Sequence, residues 1–346
     1  MGHALRSSPV NDLAKIVTWF ILCRMALLGI DIGGTKTSVC LGTREGDILA
    51  NRRMPTRPEE GPDAGIARIL DLIDDLLTAQ GLALEAVEAV GLSAPGPVNL
   101  ERGVMLEPPN MKGWVHVPIV KLFSEALRKP ITMNNDANAC VLAEWLFGSF
   151  RGEANLVYIT LSTGLGAGII ANGRLVQGAS DMGGEIGHHI LDIHGSPCPC
   201  GMRGCFEVYC GGKNVADRLR ERIVEEEIST DILDEAGGEP DAIDFRHFVA
   251  AVEMNDGFAL DMWEEYTDRL AQGIGNIIQI LNPGAILLGT IAIHTGDLLM
   301  DPLLDKLNRH TWAYARQACT IAPSALGGKI GDLSALALAM EGLNAR

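Results

Sequence analysis

Short apolar runs alternate along this chain with longer segments whose apolar residues recur at helical spacing. Residues 26–30 are a buried-strand run that ends in Asp31-Ile-Gly-Gly-Thr-Lys36, and residues 38–41 read as a strand returning from that glycine turn. Ile66, Ile69, Leu70, Ile73, Leu76 and Leu77 fall on one helical face, behind a Pro62-Asp63 start. Residues 89–93 form a second core strand, closed by Ala94-Pro-Gly-Pro97. Residues 131–133 lead through Asn134, Asn135 and Asp136 into a helix bearing Val141, Leu142, Trp145 and Leu146. Residues 225–240 are acidic and glycine-containing, and read as a surface loop. Leu270, Ile274, Ile277, Ile278 and Leu281 mark a late helix ending at Asn282-Pro283. Residues 285–288 are a strand, and the last helix starts near Asp332.

The middle of the chain restarts the opening pattern. Residues 155–161 read as a strand, followed by Ser162-Thr-Gly-Leu-Gly-Ala-Gly168 and a strand at 169–170. Aligning Asp31 with Ser162 brings Gly42 and Gly173 into register, which suggests two related halves. Alternating strands and helices imply an α/β architecture. The returning strands fit partly antiparallel sheets better than a doubly wound parallel one.

The 346 residues, 47% of them hydrophobic, suffice for one large or two ordinary cores and exclude a disordered chain. A net charge of −16 and an aromatic content of 5% argue against a nucleic-acid partner. The apolar run 16–23 falls short of the roughly 20 residues of a membrane span. Arg24-Met25 follows it where a signal peptide would need small residues. The reading is a cytoplasmic protein with reduced thiols, no membrane partner, and a non-essential extension at 1–24.

Four groups bear chemistry. The first glycine loop (Asp31, Gly33, Gly34, Thr35, Lys36) can turn backbone N–H groups toward a phosphate, with Asp31 available to Mg²⁺; it can equally be an ordinary tight turn. A second loop of the same kind at 162–168 would let two loops clamp one nucleotide. Asn135-Asp136 opens a helix, either as its cap or as a site where the helix dipole keeps Asp136 ionised to take a proton from a hydroxyl. His188 with Cys198, Cys200 and Cys205 makes a closed tetrahedral set for structural Zn²⁺, with His189 and His194 as alternative ligands and Cys210 a nearby spare. Cys23, Cys40, Cys140 and Cys319 sit among apolar residues as buried small side chains.

Together, Asp31-Ile-Gly-Gly-Thr-Lys36, Ala94-Pro-Gly-Pro97, Asn135-Asp136-Ala-Asn138, residues 162–168 and the segment from Glu185-Ile-Gly-His188 through Cys198, Cys200 and Cys205 to Glu207 resemble the ROK family of sugar kinases, repressors and open reading frames. The resemblance implies a ribonuclease-H-like, actin/hexokinase-type fold with mixed sheets, two lobes and an interlobe cleft. A small lobe of 25–140 would be completed by the C-terminal helix 325–346, and 141–324 would form a large lobe with the zinc motif. It implies Asp136 as general base, and Gly96, Asn110, Asn135, Asp136, Glu185, His188 and Glu207 around a sugar. It also implies Asp31, Gly33, Gly34, Thr35, Lys36, Thr163, Gly164 and Gly166 around ATP and Mg²⁺, and a homo-oligomer, dimer or tetramer. Asn110-Met-Lys-Gly-Trp114 is similar to a stretch common among the family's glucokinases, so transfer to the 6-hydroxyl of glucose leads. N-acetylmannosamine, fructose and other amino-hexoses follow, and then a non-catalytic sugar binder. The family's regulators carry an N-terminal winged helix-turn-helix, for which about 25 residues are too few. One departure stands out: Thr290 and Ile291 occupy positions where family kinases commonly have glycines facing the adenosine.

Overall fold

The computed structural model describes residues 26–344; the extension expected at 1–24 lies outside them. The described chain divides into two compact units, one formed by residues up to Ala143 with those from Gly328 onward, the other by Glu144–Gly327.

The first unit is built on a mixed sheet. β1 (Ala26–Ile32) pairs antiparallel with β2 (Lys36–Gly42), and β2 antiparallel with β3 (Ile48–Pro55). β4 (Val87–Ala94) runs parallel to β1. A small ribbon of β5 (Val98–Asn99) and β6 (Val104–Met105) precedes β7 (Ile131–Asn135), which runs parallel to β4. The order is β3-β2-β1-β4-β7. β1 and β4 are apolar almost throughout because both are covered. The helix Pro62–Ala79 buries Ile66, Ile69, Ile73, Leu76 and Leu77 in the same core, while the helix Ile330–Asn344 lies against β1 and β4. This last helix is buried on every side from Asp332 to Ala339. It lies so close to the sheet that a Cβ on Gly91 would stand 1.8 Å from the Ala335 carbonyl oxygen. It begins two residues before the expected Asp332.

The second unit repeats this connectivity. β8 (Leu156–Ile159), β9 (Ala167–Ala171) and β10 (Arg174–Leu175) form an antiparallel meander; β11 (Ala285–Leu288) runs parallel to β8 and β12 (Thr320–Pro323) parallel to β11. The order is β10-β9-β8-β11-β12. The two glycine loops are therefore equivalent hairpins, β1–β2 and β8–β9. Around the long helix Gly257–Leu281, Phe245, Phe248, Trp263 and Tyr266 pack edge-to-face and stacked.

Residues 225–240 are not simply a loop. They contain the helix Asp231–Glu235, whose Thr230 cap accepts a hydrogen bond from the Ile232 N–H, and Ile232 is fully buried. The buried Ile232 and Ala236, with the Thr230 cap, fix this segment where the acidic composition suggested open chain. Among the described residues no helix is long and apolar enough to cross a membrane.

Candidate active site

In the first unit the candidate residues gather at the C-terminal ends of parallel strands, where open α/β sheets present their ligands. Asp31 on β1 is in register with Ser93 on β4, and Ser93 with Asn134 on β7. Gly33 to Lys36 close a tight turn through a Gly33 N–H to Lys36 carbonyl bond of 3.0 Å. Thr56 braces it: its hydroxyl donates to the Gly33 carbonyl at 2.6 Å, and its N–H to the Thr35 carbonyl at 2.9 Å. Asn110 lies against this loop, 3.0 Å from where a Cβ on Gly34 would stand. Its segment is anchored by Trp114, which is buried against Gly65. A Cβ on Gly96 would stand 3.8 Å from Asn135 Cβ.

The helix Asp136–Phe147 is capped by Asn135, whose Oδ1 accepts the Asn138 N–H at 2.8 Å. Asp136 is thus the first helical residue and not the cap. Its Oδ1 accepts the Ala137 N–H at 2.8 Å. The helix N-terminus favours the ionised form of this carboxyl. The desolvation imposed by surrounding protein outweighs the backbone N–H groups and raises its pKa, although the residue's surface is open to solvent.

Asp31 is also pushed up, from 3.8 to about 7. Burial is the main cause, helped by the charges of Asp136 and Asp332; the Ser93 hydroxyl and Lys36 pull the other way. A carboxyl with a raised folded pKa binds its proton more tightly folded than unfolded. The stability from that proton is full below the unfolded pKa of about 4 and lost as pH rises through about 7. Asp31→Asn is therefore expected to melt above wild type at pH 8, with the gap closing toward pH 4, while activity falls. Melting curves across that range check it; no difference at pH 8 would contradict the assignment.

In the second unit the β8–β9 loop is gripped from several sides. The Ser162 and Thr163 carbonyls accept the N–H groups of Gly212 and Lys213 at 2.8 and 2.9 Å, and Thr160 pairs with Gly166. The Leu165 N–H donates to Glu207 Oε2 at 2.8 Å. Beside the loop opens a cavity of about 760 Å³, lined by Thr163, Lys213, Arg220, Phe245, Thr290 and Ile291 among others. Thr290 and Ile291 begin the short helix Thr290–Thr295, and both residues line the cavity. The helices Gly212–Glu225 and Phe245–Glu253, which also line the cavity, were not identified from the sequence. The spacing of Val215, Ala216, Leu219 and Ile223 was the available signal for the first of them.

His188, Cys198, Cys200 and Cys205 place their donor atoms within 4.8 Å of one another. Cys200 Sγ and Cys205 Sγ are 3.7 Å apart, and His188 Nδ1 is 3.9 Å from Cys198 Sγ. Zn–S bonds of about 2.3 Å in a tetrahedron space two sulfurs about 3.8 Å apart, so this donor set fits zinc. The alternatives separate out. His189 Nδ1 faces the Ile186 carbonyl and its ring packs on Phe206; Cys210 is buried toward the Tyr266 carbonyl; His194 is exposed and outside the cluster. Glu185 is exposed at the start of the turn Ile186–His188.

The family model described as "ROK family" matches residues 27–341. A glucokinase of Thermotoga maritima is 33% identical over 284 residues, covering 82% of this chain and 87% of that protein. A ROK hexokinase structure from Thermus thermophilus aligns with TM-score 0.78 and 27% identity over 93% of this chain and 100% of its own. A ROK family glucokinase from Streptomyces griseus, solved with glucose and AMPPNP, aligns with TM-score 0.75 and 30% identity over 91% and 99%. With its duplicated mixed sheets, its paired glycine hairpins and a family match over nearly all of its described length, this chain belongs to the ROK family.

Proposed function

We propose that this protein is a glucose kinase moving the γ-phosphoryl group of ATP to the 6-hydroxyl of glucose. The observation that supports this most is Asp136. It sits at the mouth of β7 with the cap role taken by Asn135, so its carboxyl is available to a substrate hydroxyl. The glucokinase relatives and the Asn110-Met-Lys-Gly-Trp114 segment favour glucose as acceptor.

In this reading Asp136 accepts the 6-hydroxyl proton as that oxygen attacks the γ-phosphorus. The bond from phosphorus to the bridging oxygen breaks, and ADP leaves. Gly96, Asn110, the Asn135 amide, Glu185, His188 and Glu207 hold the sugar. The loop 33–36, with Thr163, Gly164 and Gly166, holds the phosphates. Mg²⁺, for which Asp31 is the candidate partner, would neutralise phosphate charge. Zn²⁺ on His188, Cys198, Cys200 and Cys205 would be structural, since no ligand position stays open. With His188 Nδ1 facing the cysteines, Nε2 is left to donate to a sugar oxygen. A transfer assay over a hexose panel tests the reading. Glucose should exceed mannose, fructose and N-acetylmannosamine by at least about tenfold in kcat/KM, or about 1.4 kcal/mol. Transfer to no hexose at all would instead indicate a non-catalytic sugar binder.

The cavity beside Thr163 would take the nucleoside. With Thr290 and Ile291 on its wall, close backbone approach to a base is obstructed, so base recognition weakens while both phosphate loops are untouched. Preference for ATP over GTP and CTP is expected to stay below about a hundredfold in kcat/KM, near 2.7 kcal/mol. A larger preference would mean that the cavity reads the base despite these side chains.

A further inference from the structure

Glu207 follows the metal-ligand candidate Cys205 by two residues and lies in the first turn of the helix Phe206–Cys210. Its Oε2 does not point to the cysteines. It accepts the N–H of Leu165, in the middle of the β8–β9 loop, at 2.8 Å. The approach is so close that a Cβ on Gly164 would stand 2.9 Å from the same oxygen. Leu165 also lies close to Gly187, where a Cβ would meet the Leu165 carbonyl oxygen at 2.2 Å. Leu165 itself is buried. The loop that would bind phosphates is thus held at its centre by a carboxylate from the metal-binding segment.

By charge alone this is a poor arrangement, because a carboxylate beside an anion-binding loop repels the anion. By geometry it is a sound one: a charge-assisted hydrogen bond fixes the one N–H between Gly164 and Gly166. We propose that Glu207 is a positioning residue for the donor loop. Oε2 holds the loop in its phosphate-binding shape, and Oε1 is left for the acceptor sugar, so one side chain serves both substrates. The inference rests on the kinase reading above and adds to it a direct link between acceptor and donor recognition, which by linkage must act in both directions.

Two variants separate reach from charge. Glu207→Asp keeps the charge but withdraws the carboxylate by about one C–C bond, 1.5 Å. Glu207→Gln removes the charge but keeps an oxygen able to accept from Leu165. Calorimetric titration with AMPPNP, without sugar, reads the donor loop alone, and zinc content and melting temperature verify that each variant is folded. Glu207→Asp is expected to bind AMPPNP about tenfold more weakly than wild type, and Glu207→Gln within about threefold of it. A charge effect alone would leave Glu207→Asp unchanged and tighten Glu207→Gln. That order, or equal binding by all three, overturns the inference and leaves the kinase reading standing. A Glu207→Gln that weakens along with Glu207→Asp also overturns it, because the accepting oxygen is still present. Wild type that fails to bind AMPPNP at all would overturn both.

Discussion

Replacing Asp136 with Asn should lower kcat by about a thousandfold, within the range of about 10²–10⁴ that general-base catalysis contributes, while glucose affinity stays within about threefold. The substitution changes one atom and leaves the architecture intact. An Asn Oδ1 can still accept the Ala137 N–H, and Asn135 still caps the helix through Asn138. What disappears is the capacity to take a proton. A residue that merely capped or bound the sugar would show its loss in KM, not in kcat. The raised pKa adds a second signature. A base works only when deprotonated, so wild-type activity should be full at high pH and fall as pH drops through a value above that of an ordinary aspartate. The cause is burial outweighing the backbone donors. Kinetics across pH with direct glucose titration decide the matter; turnover within tenfold of wild type at neutral pH would remove Asp136 as the base.

The reach of sequence reasoning here follows the range of the interactions involved. Strand, glycine turn and returning strand are local, so both hairpins could be read from runs such as 26–30 and 155–161, and so could the duplication they announce. The cysteine spacing in Cys198-Pro-Cys200 and Cys205 is likewise local. What could not be read depends on distant chain. The cavity wall joins Lys213 and Arg220 from one helix, Phe245 from another and Thr290 from a third, with no motif to connect them. Glu207 and Leu165 are 42 positions apart, and nothing in either segment announces their hydrogen bond. At Asp136 the place at a helix start was legible, and so was the dipole that favours an ionised carboxyl there. The desolvation that raises its pKa comes from tertiary packing, which a helix start does not encode. The short helix Asp231–Glu235 was hidden because a few buried side chains, Ile232 and Ala236 among them, fix a segment whose average composition is that of a loop.

Cys200→Ala should abolish metal binding and with it most of the sugar site. Cys200 is exposed, whereas Cys198 and Cys205 are buried, so removing its thiol opens no cavity in a packed core. Any large loss of stability in this variant must then come through the metal and not through packing. The expected loss is large: structural zinc in small domains contributes about 10–16 kcal/mol of apparent binding energy at neutral pH, comparable to the roughly 5–15 kcal/mol by which whole proteins are stable. The segment that would come loose includes Gly187 and Glu207, both seated against Leu165, so the donor loop should loosen with it. Wild type purified without chelator is expected to hold one zinc per chain by elemental analysis. Cys200→Ala should hold less than about a tenth of that, melt at lower temperature, and bind glucose at least about tenfold more weakly. Cys210→Ala is the control, because its thiol faces the Tyr266 carbonyl, outside the cluster. It should keep its zinc and its glucose affinity even if it melts earlier. Zinc-free wild type, or a Cys200→Ala protein with full metal content, would show that these four side chains do not form a metal site.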